Sequence, residues 1–253
     1  MAEIMLQTDS LIKQYKQSDS VITAVNRASI KIPKGEFAAI IGTSGSGKST
    51  FLHLCAGLDK PDAGSVTING TEITKLSHDK LGRFRGENMG FVFQRHNLIP
   101  QFTALENILI PTMMCNKPDM SYQENLRHLV ETLDLGDRLS HLPSELSGGQ
   151  QQRVAIARAL INNPDIIMAD EPTGALDRKN ADEVLNLLFK TREEFGLTLV
   201  MVTHDLAIAD RADRIFRMDN GELKLERDYQ TGGRTESFRR YGQHQYRTGF
   251  TRL

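Results

Sequence analysis

The segment GTSGSGKST at residues 42–50 decides the fold of this chain. It fits the pattern G-x-x-x-x-G-K-[ST], in which a glycine-rich loop surrounds phosphate groups with its backbone N–H groups. Gly42, Gly45 and Gly47 can adopt backbone conformations that are closed to residues with a Cβ. The loop can therefore turn its N–H groups inward around an anion.

The residues on either side of this loop predict the secondary structure that a phosphate loop requires. Residues 35–41, GEFAAII, are apolar and predict a strand, and residues 49–57, STFLHLCAG, predict a helix that stops at Gly57. The N-terminus of that helix adds partial positive charge at the phosphates. The alternative is a glycine-rich turn that only opens a helix. The position of Lys48 and Ser49 within the pattern favours the phosphate loop.

Two later segments carry further polar chemistry. Residues 146–153 read LSGGQQQR, and Ser147 can cap the helix that the next residues predict. This makes a second anion-binding helix end, about a hundred residues after the first. Residues 165–171, DIIMADE, predict a strand that ends in Asp170 and Glu171. Neighbouring side chains of an extended chain point to opposite sides, so these two carboxylates can have different roles.

These segments, in this order, resemble the ATP-binding-cassette (ABC) ATPases over roughly residues 4–226. Taken alone, each residue has an ordinary structural explanation, and it is their combination that favours an ATPase. None departs from the family pattern, so we expect an active enzyme. The six supporting motifs are Tyr15 in LIKQY, Gln94 at the end of MGFVFQ, LSGGQ at 146–150 (which matches the family signature and is called the signature below), Asp170 with Glu171, ALD at 175–177, and His204 after TLVMVT.

The resemblance implies that ATP and Mg²⁺ are bound. Tyr15 would stack on adenine, Lys48 would neutralise the β and γ phosphates, and Thr50 could add a phosphate hydrogen bond. The expected Mg²⁺ ligands are Ser49, Gln94 and Asp170, the last through water. The expected nucleotide-contacting residues are Tyr15, Gly42, Thr43, Ser44, Gly45, Ser46, Gly47, Lys48, Ser49, Thr50, Gln94, Ser147, Gly148, Gly149, Gln150, Asp170 and Asp177.

Hydrolysis of ATP needs an oriented water and stabilised charge, and the matching residues can supply both. Glu171 is the expected general base, and His204 can link the γ-phosphate to Glu171. Gln94 is expected to contact the attacking water, and Asp177 matches the family's loop that communicates between the two sites. The expected catalytic residues are Lys48, Gln94, Glu171 and His204.

Strand-like and helix-like runs alternate along the chain, which predicts an α/β fold with a mainly parallel sheet and helices on both faces. The resemblance implies that this is the P-loop NTPase fold, with a RecA-like core, an antiparallel β subdomain and an α-helical subdomain that carries the signature. The ABC ATPase domain is expected at residues 4–226. Within it, residues 4–95 and 161–226 form the α/β core with its β part, and residues 96–160 form the helical subdomain. Turns are expected at Asn69-Gly70 and Asn220-Gly221.

Composition adds limits. The 253 residues carry a formal net charge of −1, which indicates no particular class of partner. Two cysteines, Cys55 and Cys115, have no metal-ligand spacing and favour a reducing compartment. The N-terminal sequence predicts no signal peptide, and no window of ~18 apolar residues predicts a membrane span. If the protein acts at a membrane, another polypeptide supplies the span.

The resemblance also implies partners. With one phosphate loop and one signature, the chain is expected to form a head-to-tail homodimer around two ATP molecules. Residues 95–111, 145–160 and 171–177 resemble the subgroup of lipoprotein-release, macrolide-export and antimicrobial-peptide-detoxification ATPases. Such a motor subunit would sit in the cytoplasm, on the inner face of the membrane through separate permease subunits, and would drive export or extraction without touching the cargo.

Two questions stay open at this stage. Residues 227–253 carry six Arg against two acidic residues, with three tyrosines. This basic tail is expected to be a flexible extension, and contact with lipid headgroups, a permease or nucleic acid is the alternative. The alternative function is a soluble ABC ATPase that acts on nucleic acid, ribosomes or a cell-division assembly. The absence of long coiled-coil insertions and of a second cassette favours the transport function.

Overall fold

The computed structural model describes residues 2–17, 20–115, 122–229 and 233–234. These residues form two β-sheets with helices on both faces of the larger one. The strands are β1 (Ile4–Gln17), β2 (Ser20–Pro33), β3 (Phe37–Ile41), β4 (Ala63–Ile68), β5 (Thr71–Glu72), β6 (Met89–Phe93), β7 (Ile166–Asp170), β8 (Thr198–Val202), β9 (Arg214–Asp219), β10 (Glu222–Asp228) and β11 (Gly233–Arg234). The helices are α1 (Lys48–Cys55), α2 (His78–Asn88), α3 (Ala104–Leu109), α4 (Tyr122–Thr132), α5 (Gly148–Leu160), α6 (Arg178–Phe195) and α7 (Leu206–Ala209).

The larger sheet has the strand order β11-β10-β9-β3-β8-β7-β6. Strands β3, β6, β7, β8 and β9 are parallel, and β10 and β11 continue the sheet antiparallel at one edge. Parallel strands bring their carboxyl ends to one edge, which is where ligands of open α/β sheets bind. The residues that follow β3, β6, β7 and β8 include Gly42, Gln94, Glu171 and His204, so the topology gathers four expected site residues.

Strand β3 lies between two hydrophobic cores. Phe37, Ala39 and Ile41 face the core that contains residues of α5 and α6, and Ala38 and Ile40 face the core that contains residues of α1 and the smaller sheet. All five side chains are buried. A strand that is covered on both faces explains why residues 37–41 are continuously apolar. The predicted α/β fold class is confirmed.

The smaller sheet is antiparallel, with the order β2-β1-β4-β5. Asn69 and Gly70, with φ of 46° and 76°, form the turn between β4 and β5. Asn220 and Gly221, with φ of 48° and 80°, form the turn between β9 and β10. Both Asn-Gly turns are confirmed, because such turns need positive φ at two successive residues. The N–H of Asn26 in β2 donates to the carbonyl of Gly221 at 2.8 Å and joins the two sheets.

Two expected boundaries can be compared with the structure: the helical subdomain at residues 96–160 and the end of the domain at residue 226. Helices α3, α4 and α5 fall within residues 96–160, and the subdomain division itself stays a prediction. Strand β10 runs through Asp228, past the expected end of the domain at residue 226, and Arg227 is only 1% exposed. The rest of the expected tail, apart from residues 229 and 233–234, lies outside the described residues. Within the described part of the chain, no helix is both long enough and apolar enough to span a bilayer.

Candidate nucleotide-binding site

The glycine-rich loop connects the end of β3 to the start of α1. Gly42 has φ of 154°, and a Cβ there would lie 2.2 Å from the carbonyl oxygen of Met218. Gly47 has φ of 104°, and a Cβ there would lie 2.1 Å from the carbonyl oxygen of Ala24. Both contacts are with neighbouring backbone, which cannot rotate away. Glycine at these two positions therefore lets the loop fit between β2 and β9.

The start of α1 has the properties of an anion site. Lys48 is buried, and its Nζ donates to the carbonyl of Thr43 at 2.8 Å, across the loop. Gly47 is the N-cap of α1 and gives no side-chain cap within the described structure. Ser46 Oγ is buried without a hydrogen-bond partner among the described residues. An uncapped helix N-terminus with a buried ammonium beside it is suited to a phosphate group.

A single cavity of about 710 Å³ brings the loop together with more distant residues. Tyr15, Gln94 and Glu171 line it together with residues 44–50 of the loop. The β2 residues 22–24 and the turn residues Asn220 and Gly221 complete its wall. The structure therefore gathers residues that are far apart in sequence around the expected phosphate loop.

Ser49 and Asp170 form a small polar cluster beside the loop. Ser49 Oγ donates to Asp170 Oδ1 at 2.9 Å, and His53 Nε2 lies 3.6 Å from Asp170 Oδ2. Burial raises the pKa of the Asp170 carboxyl, and the hydrogen bond from Ser49 opposes that shift. Hydroxyl and carboxylate oxygens are the ligands that Mg²⁺ prefers, so this pair fits the expected metal ion. His53 is a neighbour that sequence reasoning missed.

Glu171 follows the last residue of β7 and lies next to His204. Its Oε2 is 3.2 Å from Nδ1 of His204, and its N–H donates to the carbonyl of Val202 at 3.0 Å. Glu171 has φ of 45°, in the left-handed region. Asp170 and Glu171 have different partners, as expected, but strand alternation is not the reason, because the strand ends at Asp170 and a backbone turn directs Glu171. A left-handed conformation in a residue other than glycine is strained and occurs often at functional sites.

The segment after β6 is held from two sides. A Cβ on Gly174 would come within 2.7 Å of Gln94 Nε2, so Gln94 packs closely against the segment that follows Glu171. Arg158 of α5 donates to the carbonyls of His96 and Asn97 at 2.6 and 2.7 Å. The helix that begins at the signature thus contacts the segment that follows Gln94. Sequence reasoning did not identify Arg158, because no local pattern pairs it with residues sixty positions earlier.

The signature lies away from the phosphate loop of the same chain. Ser147 caps α5 through the N–H of Gln150, and both line a cavity of about 330 Å³ that does not include the loop. Gly149 in this cavity faces Asn180 of α6, whose backbone N–H donates to Asp177 Oδ1 at 3.1 Å. Side-chain and backbone hydrogen bonds from Asn180 lower the pKa of the Asp177 carboxyl. The structure therefore brings Ser147, Gly149 and Gln150 together, with Asp177 joined to them through Asn180, at a site separate from the phosphate loop.

Tyr15 extends from β1 with 42% of its surface exposed. Its hydroxyl donates to Asp59 Oδ2 at 2.7 Å. Burial raises the pKa of the Tyr15 hydroxyl, and the hydrogen bond to Asp59 adds to that shift. Asp59 is 44 residues away in sequence and belongs to no motif, so nothing in the sequence indicated this contact.

Comparison with known proteins gives one family. The family described as ABC transporter matches residues 25–174, more than half of the chain. Among curated proteins, the lipoprotein-releasing system ATP-binding protein LolD of Shewanella oneidensis is 42% identical over 225 residues, which cover 89% of this chain and 98% of LolD. The LolD of Shewanella sp. strain MR-7 is also 42% identical, over 224 residues that cover 88% of this chain and 97% of LolD.

Solved structures with the same fold include two of the cassette MJ0796. One is described as the dimeric structure of a post-hydrolysis state bound to ADP and Pi, with 43% identity and a TM-score of 0.80 over 88% of this chain and 99% of that chain. The other is described as the dimeric structure of a bacterial ABC transporter cassette, with 44% identity and a TM-score of 0.80 over 88% of this chain and 97% of that chain.

Proposed function

Because the chain belongs to the ABC transporter family, as an ATP-binding and ATP-hydrolysing subunit, we propose that it drives a membrane permease that releases lipoproteins. The support for this cargo is the 42% identity to LolD, which is named for a lipoprotein-releasing system, over nearly the whole of LolD. The observation that carries the ATPase activity is the cavity in which the phosphate loop, Tyr15, Gln94 and Glu171 meet.

Binding of ATP rests on the loop between β3 and α1. Lys48 would move its ammonium from the carbonyl of Thr43 to the β and γ phosphates, which offer it charge-assisted hydrogen bonds. The backbone N–H groups of residues 43–50 would surround the phosphates, with Ser44 and Thr50 adding hydroxyl donors. The ring of Tyr15, exposed in the same cavity, would take the adenine.

Mg²⁺ would be held by Ser49, by Gln94 and, through water, by Asp170. When bound, it would neutralise charge that develops on the β and γ phosphate oxygens. The hydrogen bond from Ser49 to Asp170 already holds two of these groups together at 2.9 Å. Mg²⁺ usually keeps several waters and binds substrate phosphates, so its remaining ligands would be nucleotide oxygens and water.

Hydrolysis would use Glu171 and His204. Glu171 would accept a proton from water as the water oxygen attacks the γ phosphorus, and the bond from that phosphorus to the β–γ bridging oxygen would break, giving ADP and phosphate. His204, 3.2 Å from Glu171, would orient the carboxylate and contact the γ-phosphate. Gln94, which lines the same cavity as Glu171, would contact the same water.

The functional unit would be a head-to-tail homodimer. Ser147, Gly149 and Gln150 line a cavity that does not include the phosphate loop of their own chain. This supports the inference that the signature, together with Asp177, would complete the site of a second copy. Two-fold symmetry would then give two equal sites. The solved MJ0796 cassettes are described as dimeric, which supports this arrangement.

The permease would bind beside Gln94. A cavity of about 330 Å³ there is mostly apolar, with Leu58, Phe91, Phe93, Ile110 and Pro111 in its wall, and it could take a short helix. Docking there would place the chain on the cytoplasmic face of the membrane. Arg158 lines the same cavity and also contacts the segment after Gln94, so permease binding and ATP contact would share this segment.

The proposal is tested by Glu171→Gln in two experiments. ATP turnover should fall by about 10²- to 10⁴-fold, because an amide cannot accept the proton. The matched control Glu194→Gln, which changes an exposed carboxylate paired with His128 on the helix surface, should keep normal turnover. Normal turnover in Glu171→Gln would exclude Glu171 as the base.

The ATP-trapped Glu171→Gln protein should also recover a permease from detergent-solubilised native membranes, identified by mass spectrometry. Reconstituted with that permease, wild-type chain should hydrolyse ATP faster when an acylated lipoprotein is present than when the same polypeptide lacks its lipid. Stimulation by a macrolide or an antimicrobial peptide instead would assign another cargo. Recovery of only ribosomes, nucleic acid or soluble proteins would exclude the transporter function.

A further inference from the structure

The adenine-side residue Tyr15 is anchored at its hydroxyl end by Asp59. The hydroxyl donates to Asp59 Oδ2 at 2.7 Å, and the ring keeps 42% of the residue surface exposed along the nucleotide cavity. The hydrogen bond holds the hydroxyl at the tip of the side chain, while the rigid ring stays partly exposed. The bond therefore limits the directions in which the ring can point without covering its face.

Asp59 is itself held on its other oxygen. Asp59 Oδ1 accepts from Lys13 Nζ at 2.7 Å and from the N–H of Lys60 at 2.7 Å. Lys13 also donates to the carbonyl of Lys60 at 2.7 Å, and its ammonium lies 5.2 Å from the centre of the Tyr15 ring. The Lys13 side chain is only 12% exposed, so this ion pair is shielded from water on the lysine side. Asp59 thus has a defined position before any nucleotide arrives.

The charge state of Asp59 allows it to accept hydrogen bonds from both Lys13 and Tyr15. Burial alone would raise the pKa of the Asp59 carboxyl, but the hydrogen bonds from Lys13 and Tyr15 outweigh it and lower the pKa. Asp59 is therefore ionised at neutral pH and accepts from both groups. Thr50, at the end of the phosphate loop, also interacts with the Tyr15 hydroxyl. The cluster therefore connects strand β1 to the helix that carries the phosphate site.

We propose that Asp59 is a positioning residue that holds the Tyr15 ring ready for the adenine of ATP. This inference rests on the proposed function, because it assumes that Tyr15 takes the base. Without Asp59 the ring would sample other orientations, and binding would have to restrict them. Asp59 would therefore contribute to affinity through the base and not through the phosphates.

The experiment compares two ligands by isothermal titration calorimetry: ATP, and inorganic tripolyphosphate, which has no base. Tyr15→Phe keeps the ring and removes only the hydroxyl, and Asp59→Ala removes the acceptor. Each should weaken ATP binding by about threefold to tenfold and leave tripolyphosphate binding unchanged. The double variant should be no weaker than either single one, because both remove the same bond.

Controls separate this role from a general effect. Glu72 lies in the smaller sheet, which also contains Tyr15, and its carboxylate is paired with Lys75 at 2.8 Å. Glu72→Gln removes this carboxylate and should bind both ligands as wild type does. Asp59→Asn keeps an acceptor oxygen and should recover part of the ATP affinity. If Asp59→Ala does not fold, Tyr15→Phe tests the same hydrogen bond with both ligands.

The outcomes distinguish the inference from the proposed function. Equal losses for ATP and tripolyphosphate, or additive losses in the double variant, would mean that Asp59 has only a structural role. Loss of ATP affinity in Tyr15→Leu with normal affinity in Asp59→Ala and Tyr15→Phe would overturn the inference and keep adenine stacking. Normal ATP affinity in Tyr15→Leu would overturn both.

Discussion

Replacing Gly47 by Ala gives a quantitative test of how the phosphate loop fits between its neighbours. Gly47 has φ of +104°, and a Cβ there would lie 2.1 Å from the carbonyl oxygen of Ala24, whereas ordinary contact begins near 3.4 Å. Gly45 is in the same loop with φ of +77°, and a Cβ there would meet no described atom within 4 Å. Both variants place alanine at a positive φ, and only Gly47→Ala adds a collision.

The two costs can be separated. A left-handed conformation costs alanine about 1–2 kcal/mol, and this applies to both variants. Ala24 lies within strand β2 and a Cβ on Gly47 would meet its backbone, so Gly47→Ala adds an overpacking cost of about 1–3 kcal/mol. We expect the free energy of unfolding to fall by about 2–5 kcal/mol in Gly47→Ala and by about 1–2 kcal/mol in Gly45→Ala.

Urea unfolding of the two variants, followed by circular dichroism without nucleotide, measures both values against wild type. Gly45→Ala is the matched control, because it has the same change of residue in the same loop. Equal losses of unfolding free energy in the two variants would refute the close approach of the loop to β2. A larger loss in Gly45→Ala would refute the assignment of open space around Gly45.

Four further predictions concern single residues. Lys48→Ala should weaken ATP binding by about 10- to 100-fold in calorimetry, because it removes charge-assisted hydrogen bonds, and unchanged affinity would contradict the phosphate-loop assignment. Ser147→Arg should abolish ATP-dependent dimers in size-exclusion chromatography while the monomer still binds ATP. Cys55, fully buried with a raised thiol pKa, should react with iodoacetamide only after unfolding, as peptide mass mapping would detect. The pKa of the Asp59 carboxyl is lowered on folding, so the ionised carboxylate stabilises the fold. This stabilisation is present above the ordinary carboxyl pKa of about 3.9 and is lost as the pH falls through the lowered value. The free energies of unfolding of wild type and Asp59→Ala should therefore converge in acid.

The sequence predicts the fold well where local pattern and tertiary packing agree. Residues 37–41 are continuously apolar, and β3 is buried on both faces. The two Asn-Gly pairs lie at turns that require positive φ. The sequence is less informative at domain edges, because residues 227–228 have an arginine and an aspartate that are typical of an exposed tail. They instead form the end of strand β10, where Arg227 Nη1 donates to Asp210 Oδ1 at 2.7 Å.

At the site, the sequence predicts residues that act through a local backbone pattern and misses those that act through distant contacts. The loop around Lys48 is local, so its form follows from the order of its glycines. The conformation of Glu171 could not be predicted, because it depends on a hydrogen bond to Val202 in the neighbouring strand β8. Asp59 and Arg158 are invisible to pattern analysis for the same reason, since each meets its partner only when the sheet and helices have assembled.

Helices α1, α5 and α6 differ in how their first N–H groups are satisfied, and this difference predicts an order of binding. Ser147 and Asp177 cap α5 and α6, accepting from Gln150 and Asn180 at 3.3 and 3.1 Å. Helix α1 begins after Gly47 and has no side-chain cap within the described structure. An anion at α1 gains N–H donors that no described side chain caps, whereas an anion at α5 meets an end that is already partly satisfied. We therefore expect ATP to bind first at the phosphate loop of one chain, and the signature of a second chain to close on it afterwards with a smaller gain in free energy.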